Sequence, residues 1–170
     1  MTPAVVTAYV ALGANLGDPV ATVHAALDAL SRLPGVHCQA VSSLYRTAPV
    51  GLRQQPDFIN AVAALTILDT ARLTPHALLA ELFAIEARFG RQRSIPDAAR
   101  TLDLDLLLYD GQTCQDATLT LPHPRMHQRA FVLVPLLEIA ADSHIPGHGR
   151  VAGLLPACQD QAIEKLAPIT

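Results

Sequence analysis

Hydrophobic and polar positions alternate along this chain with two periods, and the switches between them mark out its elements. Residues 5 to 12, VVTAYVAL, are apolar and β-branched and predict a buried strand. Asp18-Pro19 supplies an N-cap and a first-turn proline, so a helix opens there and stops at Pro34-Gly35. Val23, Ala26, Leu27 and Leu30 share one face of it. A second strand is expected from Val36 to Tyr45, a loop over 46 to 57, and a third strand from Phe58 to Leu68. Thr74-Pro75 opens a second helix running to Phe89, with Gly90 just past its end and a stripe of Leu78, Leu79, Leu82 and Ile85. A loop from Arg91 to Arg100 leads into a strand from Leu102 to Tyr109. Its Asp110-Gly111 turn predicts a hairpin into residues 117 to 121. A helical region closes the chain. The order strand, helix, strand, strand, helix, strand matches a split βαβ arrangement. The expected fold class is therefore α+β, an α/β sandwich with a ferredoxin-like βαββαβ core and an antiparallel sheet.

Composition narrows the function classes. The 170 residues fit one domain, 1–170, in which 51% apolar and 16% charged side chains exclude a disordered chain. A net charge of −3 gives no field to recruit nucleic acid or a membrane. With three Tyr, four Phe and no Trp, a single-strand binder built on stacking would be poorly equipped. Cys38, Cys114 and Cys158 are odd in number and lack CxxC spacing, which argues against a disulfide framework or a zinc ribbon. No basic, continuously apolar leader opens the chain, so a cytoplasmic protein is expected. Eleven of the twelve positive charges are Arg, the residue whose planar fork fits phosphate.

The strongest local signal is Arg100-Thr-Leu-Asp103-Leu-Asp105-Leu-Leu. On a strand, Leu102, Leu104, Leu106 and Leu108 enter the core together, and Asp103 and Asp105 stand on the other face about 7 Å apart. Carboxylates held that close repel unless protonated or bridged, and Mg²⁺ with substrate phosphates is the natural bridge. Arg88, Arg91, Arg93 and Arg100 precede the pair, and His123, Arg125, His127 and Arg129 follow it. Acidic ligands flanked by arginines suit phosphoryl transfer. Pro122 and Pro124 argue against a zinc-binding helix at His123 and His127. No GxxxxGK[ST] or GxGxxG is present, and Gly13-Ala-Asn15-Leu-Gly17-Asp18 alone signals only a tight turn. Phe58 and Asn60, two apart on a strand, offer a flat ring and an amide on one surface, which suits a planar heterocycle. An ordinary core Phe beside an edge Asn fits the same pattern.

Five blocks together resemble the 6-hydroxymethyl-7,8-dihydropterin pyrophosphokinase family. They are AYVALGANLGD at 8 to 18, SSLYRTAPVG at 42 to 51, QPDFINAV at 55 to 62, RTLDLDLLLY at 100 to 109 and LPHPRMHQRAFVLVPLLEIA at 121 to 140. The resemblance implies transfer of pyrophosphate from ATP to the pterin hydroxymethyl group in folate biosynthesis, with release of AMP and two Mg²⁺ ions held by Asp103 and Asp105. It places Thr47, Val50, Phe58, Asn60 and Phe131 around the pterin. Arg91 and Arg100 become catalytic with the acidic pair, and Glu86, Arg93, His123 and Arg129 face ATP. It also implies small-molecule partners only and a monomer. The family's Trp-Gly-Pro before the RTLDLD block is replaced by Asp97-Ala98-Ala99; Ala48, Pro124 and Phe83 also depart from the pattern. A Mg-dependent nucleotidyltransferase, which releases pyrophosphate, and a non-catalytic ligand-binding module on the same sheet are the alternatives.

Overall fold

The computed structural model describes residues 5–49, 55–90 and 102–166. Its main sheet is built from β1 (Val6–Ala14), β2 (Val36–Val41), β3 (Tyr45–Thr47), β4 (Phe58–Ile67) and β5 (Asp103–Tyr109), with α1 (Pro19–Ser31) and α2 (Pro75–Arg88) between them. Both helices start as their caps dictate. Asp18 Oδ1 accepts from the Ala21 amide and Thr74 Oγ1 from the Ala77 amide, each with proline at the first helical position. The chain leaves α2 at Gly90, whose φ of 78° is the left-handed conformation a helix end asks for.

The sheet is antiparallel throughout, and β4 and β1 form its centre, paired over nine residues from Val6 opposite Ile67 to Ala14 opposite Ile59. β5 flanks β1, while the far side of β4 is shared by β2 and β3. The strand expected over 36 to 45 is therefore two strands. Val41 pairs with Ala63 and Tyr45 with Asn60, four residues on one side against three on the other. Ser42 takes up the offset: its amide donates to the Val62 carbonyl and its hydroxyl accepts from the Val62 amide. A further short strand near the C-terminus, Ile163–Lys165, extends the sheet beyond β3. The sequence pattern predicts only helix in the closing region, and this strand corrects that.

One face of the sheet carries α1 and α2 over a core that includes Leu12, Leu30, Leu65, Leu82, Leu102, Leu104 and Leu106. The other carries α3 (Ala130–Ile139), packed on Ala11, Val62, Leu107 and Leu108. Leu108 thus departs from the expected alternation. Tyr9 pairs with Leu108 and Val10 with Leu106, so Leu107 is an extra residue, and the bulge turns Leu108 toward α3. Tyr109 takes the vacated side, its hydroxyl donating to the Leu73 carbonyl. Asp110 and Gly111 make the predicted turn with φ of 52° and 65°. The turn does not pair 117–121 with β5, however. Cys114–Gln115 (β6) and Thr120–Leu121 (β7) form a separate hairpin, because β5 is already held by β1 on one edge and by side-chain and loop contacts on the other. Beyond α3, His144–Ile145 and Gly149–Arg150 form a second small hairpin. The architecture is ferredoxin-like α+β, as the element order predicted.

Candidate active site

α3 covers only part of its face of the sheet, and the candidate residues lie on the same face beyond it. Strand register puts Thr47 opposite Phe58, Tyr45 opposite Asn60, Asn60 opposite Gly13 and Gly13 opposite Asp103. Asn60, Gly13 and Asp103 form one row across three strands. At the usual interstrand spacing, Asn60 and Asp103 stand about 10 Å apart. Asp105 follows two residues along β5 on the same face, and both carboxylates are half-buried. Buried Asn60 donates from Nδ2 to Thr47 Oγ1 at 2.8 Å, and this fixes which way the amide faces. Gly13 keeps the floor between them open: a Cβ there would lie 3.1 Å from Asn60 Oδ1. Asn15, 1% exposed at the end of β1, donates to Gln55 Oε1 and the Pro56 carbonyl and ties the approach to Phe58 to that strand.

The outer edge of β5 is closed from two sides. Glu86, 2% exposed on α2, accepts the Leu104 amide at 2.7 Å, between the two aspartates in sequence. The His123 amide donates to the Leu107 carbonyl at the bulge. That bond brings the His123 ring beside the acidic row. Burial first, then the charges of Arg129 and Arg125, push its pKa down to about 4 against the pull of Asp103. The ring is neutral at pH 7. Its Nδ1 accepts from the Arg125 amide at 3.2 Å, so Nε2 carries the proton and is a donor. Arg129 is the N-cap of α3, with its guanidinium carbon 5.4 Å from the Phe131 ring centroid. A cavity of about 400 Å³ opens between the β6–β7 hairpin and His148, with His123 in its wall. His127 lies in a short 3-10 helix and stacks on His148 at 3.8 Å between ring centroids.

Thr47, Phe58, Asn60, Asp103 and Asp105 are thus brought onto one surface, with His123 beside it and Arg129 and Phe131 at the start of α3. Glu86 lies behind β5 rather than on that surface. Val50, Arg91, Arg93 and Arg100 lie outside the described residues. Sequence reading missed Glu138, on the last turn of α3, which accepts from the Ser43 amide, the Ser43 hydroxyl and the Tyr45 hydroxyl. Partial burial raises its pKa, but the bonds from Tyr45 and Ser43 outweigh that and hold it below the ordinary carboxylate range. No local pattern marks a carboxylate whose partners lie more than ninety residues away.

A hard-oxygen pair on a ferredoxin-like sheet, beside a neutral histidine donor and an arginine, is a donor set able to hold a divalent cation and contact phosphate oxygens. Comparison with known proteins specifies the class. The 7,8-dihydro-6-hydroxymethylpterin-pyrophosphokinase (HPPK) family matches residues 9–141, and this chain belongs to it. It is 45% identical over 163 residues to the 2-amino-4-hydroxy-6-hydroxymethyldihydropteridine pyrophosphokinase of Haemophilus influenzae, covering 96% of this chain and 99% of that one. Identity to the enzyme of the same name from Pseudomonas aeruginosa is 47%, over 93% and 95% of the two chains. The Plasmodium falciparum HPPK-DHPS structure shares the fold at a TM-score of 0.68 and 12% identity, and 90% of this chain spans 43% of that longer one.

Proposed function

We propose that this protein transfers pyrophosphate from ATP to the hydroxymethyl group of 6-hydroxymethyl-7,8-dihydropterin, releasing AMP, as a folate-biosynthesis pyrophosphokinase. The observation that carries the reading is the row Asn60–Gly13–Asp103. It sets an amide suited to a heterocycle's edge about two strand spacings from an acidic pair suited to a metal-bound phosphate chain. Thr47, Val50, Phe58, Asn60 and Phe131 form the pterin side, with Thr47 holding the Asn60 amide in its recognising orientation. Asp103 and Asp105 fit Mg²⁺, two ions in this reading, because both are half-buried oxygen donors on one rigid strand face. When bound, Mg²⁺ supplies charge neutralisation on the phosphates and acidifies the attacking hydroxyl.

The chain's own residues then orient and stabilise. His123 Nε2–H donates to a phosphate oxygen without adding a charge, and Arg129 adds one. Arg91 and Arg100 stabilise charge developing in the transition state and Arg93 binds the phosphates in the ground state. Glu86 holds Leu104, and through it the aspartates on either side, on the nucleotide flank. The cavity that has His123 in its wall offers room for the nucleoside. The chain acts as one domain, a cytoplasmic monomer whose partners are small molecules. Among the described residues no helix is long and apolar enough to cross a membrane.

Purified protein given Mg-ATP and the reduced hydroxymethylpterin should form AMP and the pterin diphosphate in equal amounts. Pyrophosphate as the released product would indicate nucleotidyl transfer instead. No ATP consumption would indicate a binding module.

A further inference from the structure

At the other end of α2 from Glu86, about 15 Å along its axis, three side chains of different chemistry converge. His76 Nε2 lies 2.7 Å from Asp116 Oδ2, and Cys114 Sγ lies 3.6 Å from the same oxygen. All three ligand atoms fall within 4.8 Å of one another. We propose that His76, Cys114 and Asp116 form a second metal site, selective for a zinc-class divalent ion, that clamps the β6–β7 hairpin to the start of α2.

The donor set decides the ion class. A thiolate and an imidazole favour Zn²⁺ or its neighbours and disfavour Mg²⁺, which wants an all-oxygen shell. Tetrahedral Zn²⁺, with Zn–S about 2.3 Å and Zn–N and Zn–O about 2.0–2.1 Å, needs its ligands about 3.3–3.6 Å apart. The sulfur–oxygen spacing already meets this. The His76–Asp116 contact opens by about 0.6 Å as the ion replaces the proton between them, water being the fourth ligand. The Asp116 carboxylate is already oriented for an ion. Its Oδ1 accepts from the Thr118 and Leu119 amides at 2.8 Å each, which leaves Oδ2 facing His76 and Cys114. His76 and Asp116 are exposed and Cys114 is partly so, leaving the ion a path in. Binding releases the Cys114 thiol proton to solvent and moves the His76 proton to Nδ1. Thiolate and carboxylate then neutralise the ion.

The test uses the full, reduced, metal-stripped protein titrated with Co²⁺. The wild type is expected to show a thiolate-to-cobalt charge-transfer band with tetrahedral d–d bands, saturating at one equivalent. Cobalt held by Asp103 and Asp105 has no sulfur ligand and gives no such band. Cys114→Ser should abolish the band and Cys38→Ser leave it. His76→Ala and Asp116→Asn should each weaken Zn²⁺ binding at least tenfold by competition, with Mg-dependent turnover of His76→Ala unchanged. Absence of the band in the wild type, its survival in Cys114→Ser, or a loss under tenfold in His76→Ala would overturn the site.

Discussion

Gly13→Ala tests whether the open floor between Asn60 and Asp103 serves the pterin or merely the sheet. Gly13 has no positive φ, so alanine needs no backbone change there. The new methyl would stand 3.1 Å from Asn60 Oδ1, about 0.3 Å inside ordinary van der Waals contact. Asn60 is 5% exposed and its Nδ2 bond to Thr47 is 2.8 Å, so its amide can yield only by rotating away from Thr47. A neutral hydrogen bond of this kind contributes roughly 0.5–1.5 kcal/mol net, or about a 2- to 12-fold rise in the pterin KM. The loss of unfolded-chain freedom on replacing glycine stabilises by roughly 0.4–1 kcal/mol and offsets the strain, so the unfolding free energy should stay within about 1 kcal/mol of wild type. Steady-state kinetics with each substrate varied in turn, together with urea unfolding, give both quantities. A pterin KM within twofold of wild type, or an ATP KM that rises equally, would refute the reasoning.

Asp103→Asn and Asp105→Asn should each cut AMP formation more than tenfold while leaving the thermal midpoint unchanged or raised, since carboxylate repulsion is relieved without loss of volume; a variant pair that both keep a tenth of the activity would disprove the metal role. Glu138→Ala leaves the donors of buried Ser43 and Tyr45 without their acceptor and, with solvent reaching the exposed carboxylate's place, should destabilise by about 2–3 kcal/mol in urea melts, with Glu138→Gln recovering roughly half. His123 gives a pH signature. Its pKa in the folded protein lies near 4, below the unfolded value, so the unfolded chain binds more protons between the two. The resulting stability is complete above about pH 6.5 and lost as pH falls toward 4, on the order of 2–4 kcal/mol in all, and His123→Gln should flatten that part of the stability–pH curve.

Local chemistry made much of the fold legible. Asp18-Pro19 and Thr74-Pro75 set both helix starts, and strand alternation placed Asp103 and Asp105 together and Phe58 beside Asn60. The misreadings occur where a contact distant in sequence breaks the period. Ser42 divides one expected strand by bonding to Val62, and the bulge at Leu107 sends Leu108 to the other core. The strand Ile163–Lys165 is too short and polar to declare itself, and it exists because β3 offers an edge. Glu138 and the His76–Cys114–Asp116 group join residues some forty or more positions apart through the finished fold, beyond the reach of any spacing rule.

The two walls of the proposed pterin side, Asn60 and Thr47, rest on strands of unequal length. Asn60 lies on the central strand β4, paired with Gly13 of β1 on one side and Tyr45 of β3 on the other. Thr47 belongs to a three-residue strand whose outer neighbour is equally short. That edge can open by itself, at a fraction of the global unfolding free energy. The distance from Asn60 to the acidic pair is set across the long β4–β1–β5 pairings, whereas Thr47 rests on a short strand. Pterin analogues bulkier toward Thr47 should be accommodated by that local opening, and analogues that change the reach from ring to hydroxymethyl group should not.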